Sequence, residues 1–287
     1  MTALAIGLAL AAAAIHGTWN VLVKVSGDPM RTFRRATVVA ALVITPLTAV
    51  AWVIAGRPTL TPAAAGLAAI SAGLELLYLV LLSAAYRRGE LSVVYPIARG
   101  SAPLLAVAAG LGLLGERLTL GQMAGVALLL LGILAVTLPQ TSGRATIPAL
   151  LTGVSIAAYS AIDRVGVRLS APWLYGWLLI ALLALGLVIM EWVASRLRSE
   201  RVTDPEAPPV RWPQASLIGI FMWGGYLLVL AALSIAPLSV VAPVRETAIV
   251  AVAVWGVWKL RERRGAALKL LGASATLIGV ALLAFQM

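Results

Sequence analysis

The chain has 287 residues, 61% of them hydrophobic and 11% charged, and its mean hydropathy of +0.99 excludes a soluble globular domain and predicts an integral membrane protein. The absence of cysteine excludes disulfides and thiolate sites, and a single histidine argues against a histidine metal centre, so no metal and no cofactor are predicted. The formal net charge of +11 is scattered between apolar runs, which indicates membrane topology rather than a nucleic-acid partner.

About ten apolar runs follow one another, each close to the roughly 20 residues that a helix needs to cross a bilayer. The predicted spans are Thr2–Val23, Ala36–Ala55, Ala63–Ala85, Leu91–Leu114, Leu118–Leu138, Ile147–Val167, Trp173–Val193, Ala215–Ile235, Leu238–Val257 and Ala266–Phe285. The first run lacks a basic leader and is interpreted as a retained span rather than a signal peptide. Most links are short and rich in turn residues, and only Arg196–Pro213 is long enough to form a sizeable polar loop.

The basic residues are divided unequally between the two sides of the predicted bundle. Sixteen lysines and arginines fall in links or at span ends on one side and four on the other, while Arg99 and Arg245 lie well inside spans. By the positive-inside rule the basic loops are cytoplasmic, which places both termini outside.

The chain repeats itself at an offset of 147 residues. Leu91–Pro96 (LSVVYP) recurs as Leu238–Pro243 (LSVVAP), and Gly125–Ile133 is echoed by Gly272–Val280 in the same register. Each half then holds five spans, and an odd number of crossings inverts the second half relative to the first. The predicted fold is therefore all-α, with ten transmembrane helices in two inverted five-helix repeats, residues 1–143 and 144–287, around a central cavity.

Prolines and charges interrupt the fourth and ninth spans. Helix-breaking residues at membrane depth are tolerated where the backbone faces protein or a wet cavity. The predicted inward-facing hinges are Pro96, Pro103, Pro237 and Pro243. Arg99, Arg245 and Glu246 lie beside them, and two interpretations stay open: a guanidinium that neutralises a substrate carboxylate or phosphate, or an ion pair between Arg99 and Glu246 that holds the repeats together.

Other polar side chains share helix faces. Ser71, Glu75 and Tyr78 are spaced i, i+4 and i+7 in the third span, and Tyr226 holds a matching place in the eighth. Glu75 is predicted to receive a substrate ammonium or to carry a proton, with a helix-to-helix hydrogen bond as the alternative. In the sixth span Asp163 shares a face with Tyr159, and its place near the helix end leaves an interfacial position open.

Five motifs follow one another along the chain: HGTWNVLVK, YPIARGSAPLLAV, GERLTLGQMAGVALLLLGI, APVRETAIVAV and LRERRGAALKLLGASATLIGV. In their order and spacing they resemble the EamA-like family of the drug/metabolite transporter superfamily across nearly the whole chain. The resemblance implies a ten-helix bundle with the fifth and tenth helices packed at one end and a central cavity between the others. Carried over by position, the cavity residues are Trp19, Tyr78, Tyr95, Arg99, Tyr159 and Arg245.

These observations predict a carrier rather than an enzyme, since no HExxH, cysteine nucleophile or carboxylate metal cluster is present in the sequence. The expected substrate is a small zwitterionic or anionic metabolite, an amino acid or related compound, moved across the bacterial inner membrane by alternating access. A lipid-carrier flippase of the same superfamily is the first alternative, and a membrane-embedded enzyme the second. Membrane lipids surround the protein, which is expected as a monomer or homodimer. Proton coupling is left open, with Glu75 and Glu246 as the candidate carriers.

Overall fold

Ten α-helices make up the regular structure of the described residues in a computed structural model, which covers residues 2–26, 28–88, 91–137, 146–196, 211–248 and 266–285. They are α1 Thr2–Val25, α2 Pro29–Ile54, α3 Pro62–Arg88, α4 Leu91–Gly112, α5 Leu120–Thr137, α6 Thr146–Gly166, α7 Pro172–Arg196, α8 Trp212–Ile235, α9 Leu238–Arg245 and α10 Ala266–Phe285. Nine of them begin within three residues of a predicted span, and α2 begins at Pro29, seven residues before its predicted start at Ala36. The all-α prediction is thus confirmed for this part of the chain.

Prolines mark the beginnings of several helices. Pro29 opens α2, where Asp28 is the N-cap and its Oδ1 accepts a hydrogen bond of 2.7 Å from the backbone N–H of Arg31. Pro62 and Pro172 open α3 and α7 in the same way. Proline suits the first helical turn because its fixed φ is helical and its missing N–H would have had no intrahelical partner there.

Six helices among the described residues are long and apolar enough to cross a membrane. They lie in α1, α2, α3, α6, α7 and α8, while α4, α5 and α10 contain shorter apolar stretches. The outer face of α2 exposes large apolar side chains, among them Leu42, Leu47 and Ile54. Such a surface is stable against lipid tails and not against water. The chain is therefore a multi-pass membrane protein.

The most extensive helix pairs join the two halves of the chain. α3 packs on α6 and α7, α8 packs on α1 and α2, and α4 packs on α6 and α9. Each helix of the first half has an equivalent five helices later in the second half. The α3–α6 contact is therefore equivalent to the α8–α1 contact, and the α3–α7 contact is equivalent to the α8–α2 contact. The halves are interleaved in one bundle. Their inverted orientation, and residue 143 as the boundary between them, stay predictions.

Helices α5 and α10 pack against each other through glycine. A Cβ on Gly279 would lie 2.7 Å from the Gly125 carbonyl oxygen and 2.8 Å from the Leu129 backbone nitrogen. Contacts that short leave no room for a side chain, so glycine lets the two backbones touch.

Helix α9 as described is short. It ends at Arg245, and Pro243 lies inside it. Glu246 and Thr247 continue in a tight turn, since their N–H groups donate to the carbonyls of Pro243 and Val244 at 3.1 and 3.2 Å. The predicted ninth span to Val257 continues outside the described residues.

Candidate functional site

Charged side chains lie in the interior of the bundle. Arg99, Arg245, Glu75, Glu246 and Asp163 are each 5% exposed or less. Arg99 comes eight residues after the start of α4, a rise of about 12 Å, which is close to the middle of a hydrocarbon layer about 30 Å thick. Charges at that depth are costly unless they meet partners or water, so their partners define the site.

Two guanidinium groups share one carboxylate oxygen. Glu246 Oε1 lies 3.1 Å from Arg99 Nη1 and 3.1 Å from Arg245 Nε. The predicted ion pair between Arg99 and Glu246 is therefore present, and it joins α4 of the first half to the end of α9 in the second. Arg99 Nη2 also donates to the Tyr78 hydroxyl at 3.3 Å, and Arg245 Nη1 reaches the Ser160 hydroxyl at 3.5 Å. We call Arg99, Arg245 and Glu246 the triad. Its two positive charges and one negative charge give it a formal charge of +1.

Asp163 of α6 lies next to the triad and is wholly buried within the bundle. Tyr175 donates a hydrogen bond of 2.6 Å to its Oδ1, and Tyr226 donates to its Oδ2. The two bonds tie α6 to α7 and α8. Asp163 therefore positions the ring of Tyr226, which faces the centre of the bundle.

Aromatic rings form the wall of a small central cavity. Tyr159 packs edge-on against Tyr78 and Tyr226, with ring centroids 5.8 and 5.9 Å apart, and Tyr226 packs in turn on Trp223 at 6.0 Å. Across the cavity His16 packs on Trp19 at 5.0 Å. The cavity is lined by His16, Trp19, Glu75, Tyr78, Leu79, Tyr159, Met222, Trp223 and Tyr226. About 20 Å³ is available to the centres of water molecules, which is room for about one water.

Three polar atoms around this cavity have no hydrogen-bond partner among the described residues. They are Nδ1 of His16, Nε1 of Trp19 and Oε1 of Glu75. All three side chains are at least nine-tenths buried. Buried polar atoms without partners are rare in proteins and usually mark a site that water or a ligand completes.

Glu116 closes the bundle at one end. Its Oε1 accepts from the Leu238 N–H at 2.7 Å, and its Oε2 accepts from the N–H and hydroxyl of Ser239 at 2.9 and 2.7 Å. Glu116 thereby caps the N-terminus of α9, and Arg164 of α6 pairs with it at 3.4 Å. A Cβ on Gly110 would lie 2.5 Å from the Glu116 carboxylate, so only glycine leaves room for that carboxylate. We call the contacts of Glu116 with Leu238, Ser239 and Arg164 the Glu116 latch.

Other hydrogen bonds close the opposite end. Tyr86 donates to the Asn20 side chain at 3.1 Å, and Asn20 donates to the His16 carbonyl at 2.9 Å. Trp223 Nε1 donates to the Thr37 hydroxyl at 3.3 Å and fixes α8 against α2. These bonds join α1 to α3 and α8 to α2.

The structure brings most of the predicted substrate residues together. Trp19, Glu75, Tyr78, Arg99, Tyr159, Tyr226, Arg245 and Glu246 all lie in the cavity wall or the triad. The side chain of Tyr95 is outside the described part of the chain, as is that of Pro96. Pro103 is buried within a continuous α4, Pro243 is buried inside α9, and Pro237 is its N-cap. Their hinge role stays a prediction.

Sequence reasoning missed Glu116 and Arg164 as functional residues. Glu116 lies in the link between the fourth and fifth predicted spans and Arg164 near the end of the sixth, and charged residues are ordinary at both kinds of position. The available signal was the position of Glu116, directly after Gly115 at the end of a proline-containing helix. Which helix it would cap could not be read from the chain, because Leu238 is 122 residues away.

Comparison with known proteins identifies the first half of the chain. Residues 3–138 match the EamA-like transporter family, which confirms the resemblance predicted from the motifs in this half. No curated protein sequence matches the chain. One solved crystal structure shares the fold with a TM-score of 0.72 and 15% identity, covering 97% of this chain and 95% of the other. The family match indicates a membrane transporter of the drug/metabolite transporter superfamily.

Proposed function

From the EamA-like identity of residues 3–138, we propose that this protein is a secondary carrier for a small zwitterionic or anionic metabolite. The substrate class is an amino acid or a related compound. Transport takes place by alternating access across the inner membrane of a bacterium. The basic loops would face the cytoplasm and both termini the outside, as the distribution of lysine and arginine predicts.

The observation that carries this proposal is the shared carboxylate of the triad. Two buried guanidinium groups face a single oxygen of Glu246, and a substrate carboxylate would accept further hydrogen bonds from them. Guanidinium groups suit that task because their N–H donors match the spacing of carboxylate oxygens. The triad also lies where helices from the two halves meet, which is where carriers built from repeats bind substrate.

The hydrogen bonds at the two ends of the bundle support alternating access. One end is held by the Glu116 latch, and the other by Asn20 with Tyr86 and by Trp223 with Thr37. These contacts use different helix pairs, so one can break while the other stays intact. In the proposed mechanism the two inverted halves rock about the cavity, with Pro96, Pro103, Pro237 and Pro243 as hinges.

The test is substrate counterflow in liposomes. Vesicles containing the purified protein are loaded with one unlabelled amino acid, and uptake of the same radiolabelled compound is followed across a panel of amino acids and organic acids. A carrier accumulates label transiently, whereas a channel does not. We expect counterflow for at least one compound that carries a carboxylate. The carrier proposal fails if every compound on the panel gives the rate of empty vesicles.

Arg245→Gln tests the triad. It leaves Arg99 and Glu246 as a neutral pair, so the affinity for a carboxylate substrate should fall about 10- to 100-fold. Arg117→Gln is the matched control, because Arg117 lies in a link and is exposed. Equal counterflow by the two variants would exclude the triad as the carboxylate site. Repeating the assay with an imposed pH gradient decides whether protons are coupled.

Two alternatives remain to be tested. A flippase needs a polar groove open sideways to lipid, whereas the charged side chains of this polar centre are each 5% exposed or less. A membrane-embedded enzyme is the second alternative. Lipid-scrambling assays on the same vesicles would reveal a flippase directly.

A further inference from the structure

The three buried carboxyl groups at the centre of the bundle differ in the hydrogen-bond partners that they have. Glu246 is engaged by two guanidinium groups and Asp163 by two tyrosine hydroxyls. Glu75 is different, because its Oε1 has no hydrogen-bond partner among the described residues although the side chain is only 5% exposed. A buried carboxylate oxygen without a donor carries a desolvation cost that a ligand N–H can recover.

The rings around Glu75 form a site of a particular chemistry. Tyr78, Tyr159, Tyr226 and Trp223 form a continuous chain of edge-to-face contacts, and Trp19 lies opposite. Aromatic faces attract cations within about 6 Å, most strongly where water is excluded. We call these five rings together with Glu75 the amine cage.

The remaining unpartnered atoms fit the same kind of ligand. His16 Nδ1, as a ring nitrogen without a partner, can accept an N–H, and Trp19 Nε1 can only donate. A group with several N–H donors would satisfy both Glu75 and His16. The Trp19 donor would be left for an oxygen on the same molecule.

We infer that the amine cage binds the ammonium group of the substrate, so that the carrier selects zwitterions with a free amine over simple organic anions. This inference rests on the proposed carrier function and adds the second half of the recognition: the carboxylate of the substrate on the triad and its amine on Glu75. Tyr78 connects the two subsites, since it lines the cavity and accepts a hydrogen bond from Arg99.

The ligand must open the cage to enter. The present free volume holds about one water, far less than any amino acid. Substrate binding would therefore separate the rings and change the surroundings of Trp19 and Trp223. Tryptophan fluorescence of the purified protein is consequently a direct reporter of binding.

The experiment uses matched trios of compounds with the purified protein in detergent. One trio is leucine, isopentylamine and 4-methylpentanoate, and the other is phenylalanine, phenethylamine and 3-phenylpropanoate. Within each trio the carbon skeleton is constant, while the compound carries both charged groups, only the amine, or only the carboxylate. Binding is measured by the fluorescence change and by the rise in melting temperature.

We expect the zwitterion of at least one trio to bind the wild-type protein, and Glu75→Gln to weaken it about 10- to 100-fold. The same variant should leave binding of the carboxylate-only compound unchanged. Glu191→Gln is the matched control, since Glu191 is a half-exposed glutamate on α7 that pairs with Arg34 outside the cage. It should bind all compounds as the wild type does.

A second pair of variants keeps the test decisive if Glu75→Gln does not fold. Tyr159→Leu removes a ring of the cage and should weaken binding of the amine-bearing compounds about 3- to 30-fold, and Tyr159→Phe, which keeps the ring, should weaken it less than Tyr159→Leu does. The inference is overturned if neither amine-bearing compound of either trio binds, or if amine binding is indifferent to both Glu75→Gln and Tyr159→Leu. If only the carboxylate-only compounds bind and counterflow is still observed, the amine cage is refuted as an ammonium site and the carrier proposal stands.

Discussion

The Glu116 latch is the contact whose removal has the most specific expected consequence. The Glu116 side chain is 7% exposed and accepts three hydrogen bonds from Leu238 and Ser239 in addition to its pair with Arg164. In Glu116→Gln the size is kept, but the charge is lost and an amide N–H replaces one acceptor. We expect the closed state to lose about 2 to 4 kcal/mol, the range for charge-assisted bonds and for a broken buried pair.

This loss should appear as local opening rather than global unfolding. A difference of about 1.4 kcal/mol is tenfold, so the open population should rise about 30- to 1,000-fold. Because the chain has no cysteine, a single cysteine introduced as Leu238→Cys is a clean reporter. Its side chain is buried, and the replacement leaves the backbone N–H for Glu116.

The assay compares the rate at which a polar maleimide modifies Leu238→Cys with and without Glu116→Gln, in detergent so that both ends are accessible. Glu191→Gln in the same background is the control, since it breaks an ion pair at the other end. We expect a rate increase close to the calculated population change with Glu116→Gln and less than about threefold with the control. Equal rates in all three proteins would refute the idea that the latch holds this end closed.

Three other contacts can be tested by unfolding the purified protein in detergent and measuring the free energy of unfolding. Asp163→Asn should lower it by about 2 to 4 kcal/mol, because an amide cannot accept both tyrosine hydroxyls as a carboxylate does, and no change would mean that these hydroxyls find other acceptors. Gly279→Ala should lower it by about 1 to 3 kcal/mol by pushing α5 from α10, whereas Gly73→Ala, whose Cβ would meet nothing within 4 Å, should be neutral or slightly stabilising. Equal effects of the two alanines would contradict the close packing. Glu191→Gln should change it by less than about 1 kcal/mol, since Glu191 is 50% exposed, and a loss above about 2 kcal/mol would show that the pair with Arg34 acts as a buried one.

The order of the helices could be predicted because it depends on local composition. Lengths of about 20 apolar residues, opening prolines and short polar links are properties of consecutive residues, and each helix in hydrocarbon must satisfy its own backbone. The interior position of Arg99 and Arg245 followed from the same physics, since a charge within a span has to face protein.

The partners of those charges could be predicted only in part. The repeat offset placed Arg99 opposite Glu246, and the structure forms that pair. The repeat offset did not predict that Arg245 would pair with the same Glu246 oxygen. It also did not predict that Asp163 would be fully buried and accept hydrogen bonds from two tyrosines. Those contacts depend on how α6, α7, α8 and α9 are rotated and translated against one another.

By itself the sequence determined that this chain is a bundle of membrane helices with charges facing inward, because hydrophobic length and the cost of a charge in lipid act residue by residue. Only the tertiary structure decided that Oε1 of Glu75 would be left without a hydrogen-bond donor beside aromatic rings and that Glu116 would cap a helix 122 residues away. Contacts between distant helices depend on packing geometry in three dimensions, and no local pattern of residues encodes that geometry.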